Sequence, residues 1–280
     1  MPHGVESRQR PAYGPGVRVN DEVLLERGVP YGHGKLLDVY RPPDRAGRGP
    51  APVVLLWHGV GVDERDVLEP LARATAGHGV VVVVPDWRSD APDGGGAHLL
   101  ASLAFTRDQV TDLGGAGEGS IVLAGWSRGG RCAAAIGVRP GGVDGWRPLA
   151  VACLGSAYTR PAATTGTSPL ADLTARDGAE APVPFWIVHG TADTVVPVLA
   201  SREFTAALRR HGWPVRFEEP TADHAGVVMS EYDPALRRCR PATAARAVAA
   251  GELSARMLAE AAGVPGPGGG GSFTRALRSA

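Results

Sequence analysis

The chain has 280 residues, 44% of them hydrophobic and 21% charged, the composition of a globular protein able to bury a substantial core in one large α/β domain or two small ones. Its 29 Lys+Arg balance its 29 Asp+Glu, so no net charge draws it to nucleic acid or to an anionic membrane. Three cysteines, Cys132, Cys153 and Cys239, have no metal-ligand spacing and cannot all pair with one another, which points to thiols in a reducing compartment.

The first residues, MPHGVESRQRPAYGPG, carry no apolar segment of the secretory kind, and the longest purely apolar run, residues 80–84, is far too short to span a bilayer. A cytoplasmic protein with no membrane insertion is the expectation. Residues 1–20, rich in Pro, Gly and Arg, read as an arm ahead of a domain at 21–262. Residues 263–280 open on GVPGPGGGGS and read as a flexible linker and tail.

Along the domain, residues 23–25 and 36–40 predict an antiparallel pair. PVVLLWHG at 52–59 is then almost unbroken in β-branched and aliphatic residues, and VVVVVP at 80–85, SIVLAG at 120–125, PLAVACLG at 148–155 and PFWIVHG at 184–190 repeat it. VRFEE at 215–219 is a shorter, more polar last strand. Continuous apolar strands suit a parallel sheet covered on both faces. Between them, residues 63–77, 97–112, 128–139 and 197–212 space their apolar side chains by three and four, as helices do. This alternation predicts one doubly wound, mostly parallel sheet of about eight strands with helices on both faces. Residues 155–183, with at most one short helix near 168–176, leave room for a short lid only.

LAGWSRGG at 123–130 contains the pattern G-x-S-x-G between a predicted strand and a predicted helix. A serine on such a turn takes a strained backbone and lifts its hydroxyl above the sheet. The next residue, Arg128, opens the helix, so its N–H faces any oxyanion formed there. Ser127 therefore reads as a nucleophile. A hydroxyl needs a base, and the base an orienting carboxylate, in the chain order Ser, Asp or Glu, His. Asp193 in IVHGTADTVVP and His224 in ADHAG follow the last two strands, at the sheet end where such sites assemble. Asp223, Asp172 and Asp177 are the weaker carboxylate choices. His58 and His189, each in an H-G pair closing a strand, read as makers of structural hydrogen bonds, and no H-E-x-x-H spacing suggests a metal.

WHGVG at 57–61, VPDWR at 84–88, GWSRGG at 125–130, HGTADTVVP at 189–197 and DHAG at 223–226 together resemble the motif series of the α/β-hydrolase superfamily, nearest its esterase/lipase, carboxylesterase-like branch. The resemblance spans about residues 21–240. It implies the α/β-hydrolase fold, a catalytic set of Ser127, Asp193 and His224, no cofactor, and a small-molecule ester as substrate. It also implies an oxyanion hole made by the N–H groups of Arg128 and Val60, with Gly59 as the alternative to Val60. The chain has His58-Gly59-Val60-Gly61 where esterases of the family often carry H-G-G-G. Trp57, Gly59, Val62, Trp126 and Tyr158, with Leu99, are candidates to line an apolar substrate pocket. The Arg128 side chain has two readings, a hold on a substrate carboxylate or a pairing with Asp63, Glu64 or Asp66. Asp86 and Arg88 read as an ion pair. Hydrolysis of an ester or lactone, acyl transfer with the same residues, and a non-catalytic binding module are the functions these residues allow.

Overall fold

The computed structural model describes residues 23–43, 49–139, 141–175 and 181–266. The arm expected at 1–20 and most of the tail expected at 263–280 lie outside them. Eight strands form one sheet: β1 (Leu24–Gly32), β2 (Lys35–Arg41), β3 (Val53–Trp57), β4 (Val81–Pro85), β5 (Ile121–Trp126), β6 (Ala150–Leu154), β7 (Phe185–Val188) and β8 (Val215–Glu218). Their spatial order is β1-β2-β4-β3-β5-β6-β7-β8. β2 runs antiparallel to both β1 and β4, and every pair from β4 onward is parallel.

The unbroken apolar strands are explained by what covers them. In β3, Val53, Leu55 and Trp57 face one side and Val54 and Leu56 the other, and all five are fully buried. On the first side lie α2 (Gly96–Asp108), α3 (Arg128–Val138), α4 (Pro169–Ala175) and α5 (Leu199–Arg210), through Leu99, Ile136, Leu173 and Phe204. On the second lie α1 (Arg65–Gly77) and α6 (Ala245–Ala261), through Leu68, Leu71 and Leu258. Each fully buried aliphatic side chain stabilises the fold by about 1.5–3 kcal/mol. Two layers of helix thus make both faces of the sheet core, as the continuous strands require.

The sequence reading did not include α6 or the hairpin of β9 (Ser230–Asp233) and β10 (Arg238–Pro241). The first half of α6 buries small residues, Ala247, Ala250, Gly251 and Ser254, and large apolar ones, Met257 and Leu258, come only in its last turns. A Cβ at Gly251 would lie 2.4 Å from that of Met229, so a close backbone approach replaces the usual apolar stripe. Among the described residues between β6 and β7 the single helix is α4, of seven residues, where a short lid was expected. Among the described residues no helix is long and apolar enough to cross a membrane.

The pair expected between Asp86 and Arg88 does not form. β2 runs beside β4, the Asp86 N–H donates to the Leu36 carbonyl, and Lys35 Nζ reaches the Asp86 carboxylate at 2.9 Å. Arg88 pairs with Asp90 at 2.6 Å.

Candidate active site

β5 ends at Trp126 and α3 begins at Arg128, leaving one residue to reverse the chain. That residue, Ser127, has φ 55° and ψ −117°, a region L-residues seldom enter. The turn is possible because of its glycines. A Cβ on Gly125 would lie 2.3 Å from the Gly129 backbone, and one on Gly129 would lie 2.4 Å from the His58 carbonyl. Helix, elbow and β3 therefore pack backbone against backbone. The Ser127 N–H donates to the Leu154 carbonyl at 2.8 Å, which ties the elbow to the end of β6.

The next residue after Leu154 is Gly155, at φ +56°, where a Cβ would stand 3.3 Å from His224 Nδ1 and 3.6 Å from Asp193 Oδ2. The imidazole and the carboxylate thus lie directly over the strand end that holds the elbow. His224 Nδ1 is 2.7 Å from Asp193 Oδ2. The Trp126 ring packs against the His224 ring with centroids 5.1 Å apart, and its Nε1 donates to the His224 carbonyl at 2.9 Å. With Nδ1 on the carboxylate, the free nitrogen of His224 is Nε2.

Asp193 is held from several sides. The Val195 and Val196 N–H groups each donate to its Oδ1 at 2.8 Å. His189 Nε2 lies 3.2 Å from Oδ2 and 2.9 Å from the Val196 carbonyl, while His189 Nδ1 is 2.7 Å from the Ser201 hydroxyl. Burial opposes the Asp193 charge, yet the bonds from His189, His224 and Val196 outweigh it and hold the carboxyl well below the usual carboxylate range. The competing carboxylates are engaged elsewhere. Asp223 accepts the Gly226 N–H at 2.8 Å, and Asp172 accepts the Thr167 hydroxyl at 2.6 Å. Asp177 lies outside the described residues.

The loop after β3 is pinned at three points. His58 Nε2 accepts the Trp87 N–H at 3.3 Å, which leaves its Nδ1 to donate to the Gly59 carbonyl at 3.2 Å. The Val60 carbonyl accepts the Ser89 hydroxyl at 2.6 Å, and Glu64 accepts the Gly61 N–H at 3.0 Å. Among the described residues, neither the Val60 N–H nor the Arg128 N–H has an acceptor. Glu64, Ser89, His189 and Gly155 were not singled out as parts of the site from sequence. Gly155 had a readable signal, a glycine closing the strand after the elbow strand.

Three of the expected pocket residues are core instead. Trp57 is fully buried and donates from Nε1 to Ser102 Oγ at 3.0 Å. Tyr158 is 1% exposed, stacked on Phe204 with centroids 4.0 Å apart. Leu99 lies in the same layer. The alternation of β3 turns Trp57 toward α2, and the buried face of α5, through Phe204, draws Tyr158 inward. Trp126 is mostly buried under His224, and Gly59 is packed between Glu64 and Trp126. Val62 is exposed, as are Val60, Val195 and Leu199, on loops or a helix start leaving the same end of the sheet.

The pairing of Arg128 with Asp63, Glu64 or Asp66 is also absent. Asp63 binds Arg65 at 2.6 Å, Glu64 caps the Gly61 N–H, and Asp66 binds Arg238. An open cavity of about 540 Å³ lies far from these groups, beside Leu24, Pro52, Val81 and Leu113 at the opposite end of the sheet. Among the described residues no group of three or more His, Cys, Asp or Glu side chains is placed to hold a metal ion.

A comparison with family models finds no match, and neither does a comparison with curated proteins. Solved structures do match. Thermogutta terrifontis esterase 2 with bound propionate superimposes with a TM-score of 0.61 at 19% identity, over 89% of this chain and 98% of its own. The same esterase phosphorylated by paraoxon gives a TM-score of 0.62 at 19% identity, with the same shares of both chains covered. A truncated carbohydrate esterase from gut microbiota gives 0.62 at 14% identity, over 88% of this chain and 99% of its own. This is the α/β-hydrolase fold. Ser127, Asp193 and His224 lie on the connections that leave β5, β7 and β8 at the same end of this sheet.

Proposed function

We propose that the protein is a serine hydrolase acting on a carboxylic ester or lactone through an acyl-enzyme. The observation that carries this reading is the 2.7 Å bond from His224 to an ionised Asp193, placed over the strand end that holds the strained Ser127. The structural neighbours named as esterases support it.

Ser127 Oγ attacks the ester carbonyl carbon while His224 Nε2 takes its proton. Asp193 fixes the Nδ1–H tautomer and stabilises the imidazolium that forms. The oxyanion of the tetrahedral intermediate accepts the N–H groups of Arg128 and Val60, worth about 10²–10³ in rate for each donor. The C–O bond then breaks, His224 gives its proton to the departing alcohol, and the acyl group stays on Ser127. Water, deprotonated by His224, attacks the acyl carbon and releases the acid. A lactone follows the same steps with its alcohol still tethered. No cofactor enters.

The test is covalent labelling with a fluorophosphonate and mapping of the modified peptide. Label on Ser127, together with turnover of simple p-nitrophenyl esters, is the expected result. Label elsewhere, or none, overturns the reading. Label on Ser127 with negligible turnover of every simple ester and lactone moves the reading to acyl transfer.

A further inference from the structure

Arg128 follows the nucleophile directly, and its side chain crosses the site to the loop after β4. Its Nη1 donates to the Ser89 carbonyl at 3.3 Å, and a Cβ on Gly94 would lie 3.6 Å from its Nη2. Ser89 is the residue whose hydroxyl holds the Val60 carbonyl. The guanidinium therefore lies beside the loop that offers the second oxyanion N–H.

Two more cations gather there. Arg131 is one turn further along α3. The loop after β6, which carries the exposed Arg160, packs here: a Cβ on Gly94 would lie 3.6 Å from the Ala163 Cβ as well as from Arg128, and the Thr164 hydroxyl donates to the Cys132 carbonyl of α3 at 3.0 Å. Burial, with the positive charges of Arg128 and Arg160 nearby, holds the Arg131 guanidinium below its ordinary value; only the Cys132 thiol acts the other way. Among the described residues none of the three arginines forms an ion pair. The Nε–H groups of Arg128 and Arg131 are buried with no acceptor. Nearby acids are engaged: Asp90 binds Arg88, and Asp93 accepts the Gly95 and Ala97 N–H groups.

This arrangement is costly for an unliganded protein. A half-buried guanidinium without a counter-charge loses solvation, and the one long bond of Arg128 to the Ser89 carbonyl replaces little of it. Two of the three sit in the first turns of α3, where the helix dipole disfavours positive charge. A surface ion-pair network has no such imbalance, and the rest of this chain has many pairs. An anion would relieve both costs, and a guanidinium fork matches a carboxylate with two parallel bonds.

The geometry points to Arg128, Arg131 and Arg160 as an anion subsite, which selects esters whose acyl or alcohol part bears a free carboxylate. This inference rests on the hydrolase reading above and narrows its substrate class.

Two matched pairs of esters test it. Mono-p-nitrophenyl glutarate against p-nitrophenyl valerate places the charge on the acyl part. The acetyl ester of 4-hydroxybenzoate against that of 4-hydroxybenzamide places it on the alcohol part. Each kcat/KM is divided by the rate of hydroxide-catalysed hydrolysis of the same ester. In the wild type the anionic member is expected to lead by at least about tenfold in one pair, as a charge-assisted bond is worth. Arg128→Gln is expected to lower that anionic-to-neutral ratio by about tenfold, Arg128→Lys to restore part of it, and added salt to reduce it. A merely structural role moves both esters together and leaves the ratio alone. Should Arg128→Gln not fold, Arg160→Gln on its exposed loop carries the same comparison.

A ratio near one in both pairs, with Ser127 labelled and the neutral esters turned over, overturns the subsite and leaves the hydrolase standing. Absence of label on Ser127 overturns both. If Ser127 is labelled but no ester is turned over, glutarate is added as a competitor. Slower labelling in the wild type, and not in Arg160→Gln, supports the subsite; unchanged labelling overturns it.

Discussion

His224 binds Asp193 across 31 residues of chain, at 2.7 Å, and leaves its neighbour Asp223 to cap the Gly226 N–H. The distinction is one of backbone direction. A residue next to the histidine projects away from its ring, whereas the loop after β7 delivers a carboxylate to Nδ1 from the side. Asp193→Asn is expected to lower kcat by about 10³–10⁴, because the amide N–H favours the wrong tautomer. Asp223→Asn is expected to cost less than about tenfold. Steady-state kinetics on one p-nitrophenyl ester decides it, and a reversal of the two effects removes Asp193 from its role.

At Ser127 stability and activity oppose each other. Its φ of 55° and ψ of −117° cost about 1–3 kcal/mol in a residue with a Cβ, and glycine is spared that cost. Both Ser127→Ala and Ser127→Gly are expected to abolish hydrolysis and labelling. At an ordinary site alanine is the more stable of the two by about 0.4–1 kcal/mol. Here glycine is expected to equal or exceed it. Thermal unfolding of the two inactive variants is the measurement, and a clearly higher Tm for alanine means that the elbow is not strained.

Gly155 is the position where one methyl group should disturb the base without touching the nucleophile. Its φ of +56° and the 3.3 Å from its would-be Cβ to His224 Nδ1 act together. Gly155→Ala is expected to lose about 1–2 kcal/mol of stability from the left-handed backbone. Its kcat is expected to fall at least about tenfold as the imidazole shifts off Asp193. Denaturant unfolding and kcat are read on the same sample. Full kcat in a folded variant means that the His224–Asp193 pair tolerates the shift and is held from elsewhere.

The acid side of the stability profile should carry the mark of Asp193. Its folded-state pKa is depressed, so its ionised form contributes stability above the ordinary carboxylate pKa. That contribution is lost as pH falls from the ordinary value through the lower folded one. Asp193→Asn is therefore expected to be less stable than the wild type at neutral pH, with the gap closing as the solution is acidified. Urea midpoints across the acid range test the sign, and a gap that widens on acidification contradicts it.

Much of this arrangement was legible in the chain, and for identifiable reasons. Strand and helix periods point to the eight-stranded sheet, because β3 to β7 are buried on both faces and read as unbroken apolar runs, while β1 and β8 are partly exposed edges. Ser127, Asp193 and His224 were legible because each follows a strand at the same sheet end. Side-chain direction was not legible. Trp57 ends β3 where a pocket residue would, yet strand alternation turns it toward Ser102 and the core. The partners of Arg128 were not legible either, since Asp63 and Asp66 are near in sequence but are taken by Arg65 and Arg238. α6 was not legible because its first half packs through alanine and Gly251, and two large apolar residues, Met257 and Leu258, make too short a stripe to read.

The last prediction concerns acyl-chain length. Val60, Val62, Val195 and Leu199 are exposed around the end of the sheet that holds Ser127, and among the described residues the only helix between β6 and β7 is the seven-residue α4. An exposed apolar rim contacts the first few carbons of a chain. Burying later methylenes, at about 0.8 kcal/mol each, takes a tunnel or a cap, and Trp57 and Tyr158, expected to line an apolar pocket, are core instead. With p-nitrophenyl esters of increasing length, kcat/KM is expected to rise by up to about fourfold per carbon at first, following that 0.8 kcal/mol, and to peak at short to medium chains. Val62→Ser is expected to flatten the initial rise, because it makes part of the rim polar while leaving the Val60 and Arg128 N–H groups in place. A steady increase into long chains contradicts this reading of the rim, since only a deep apolar groove continues to gain from each added methylene.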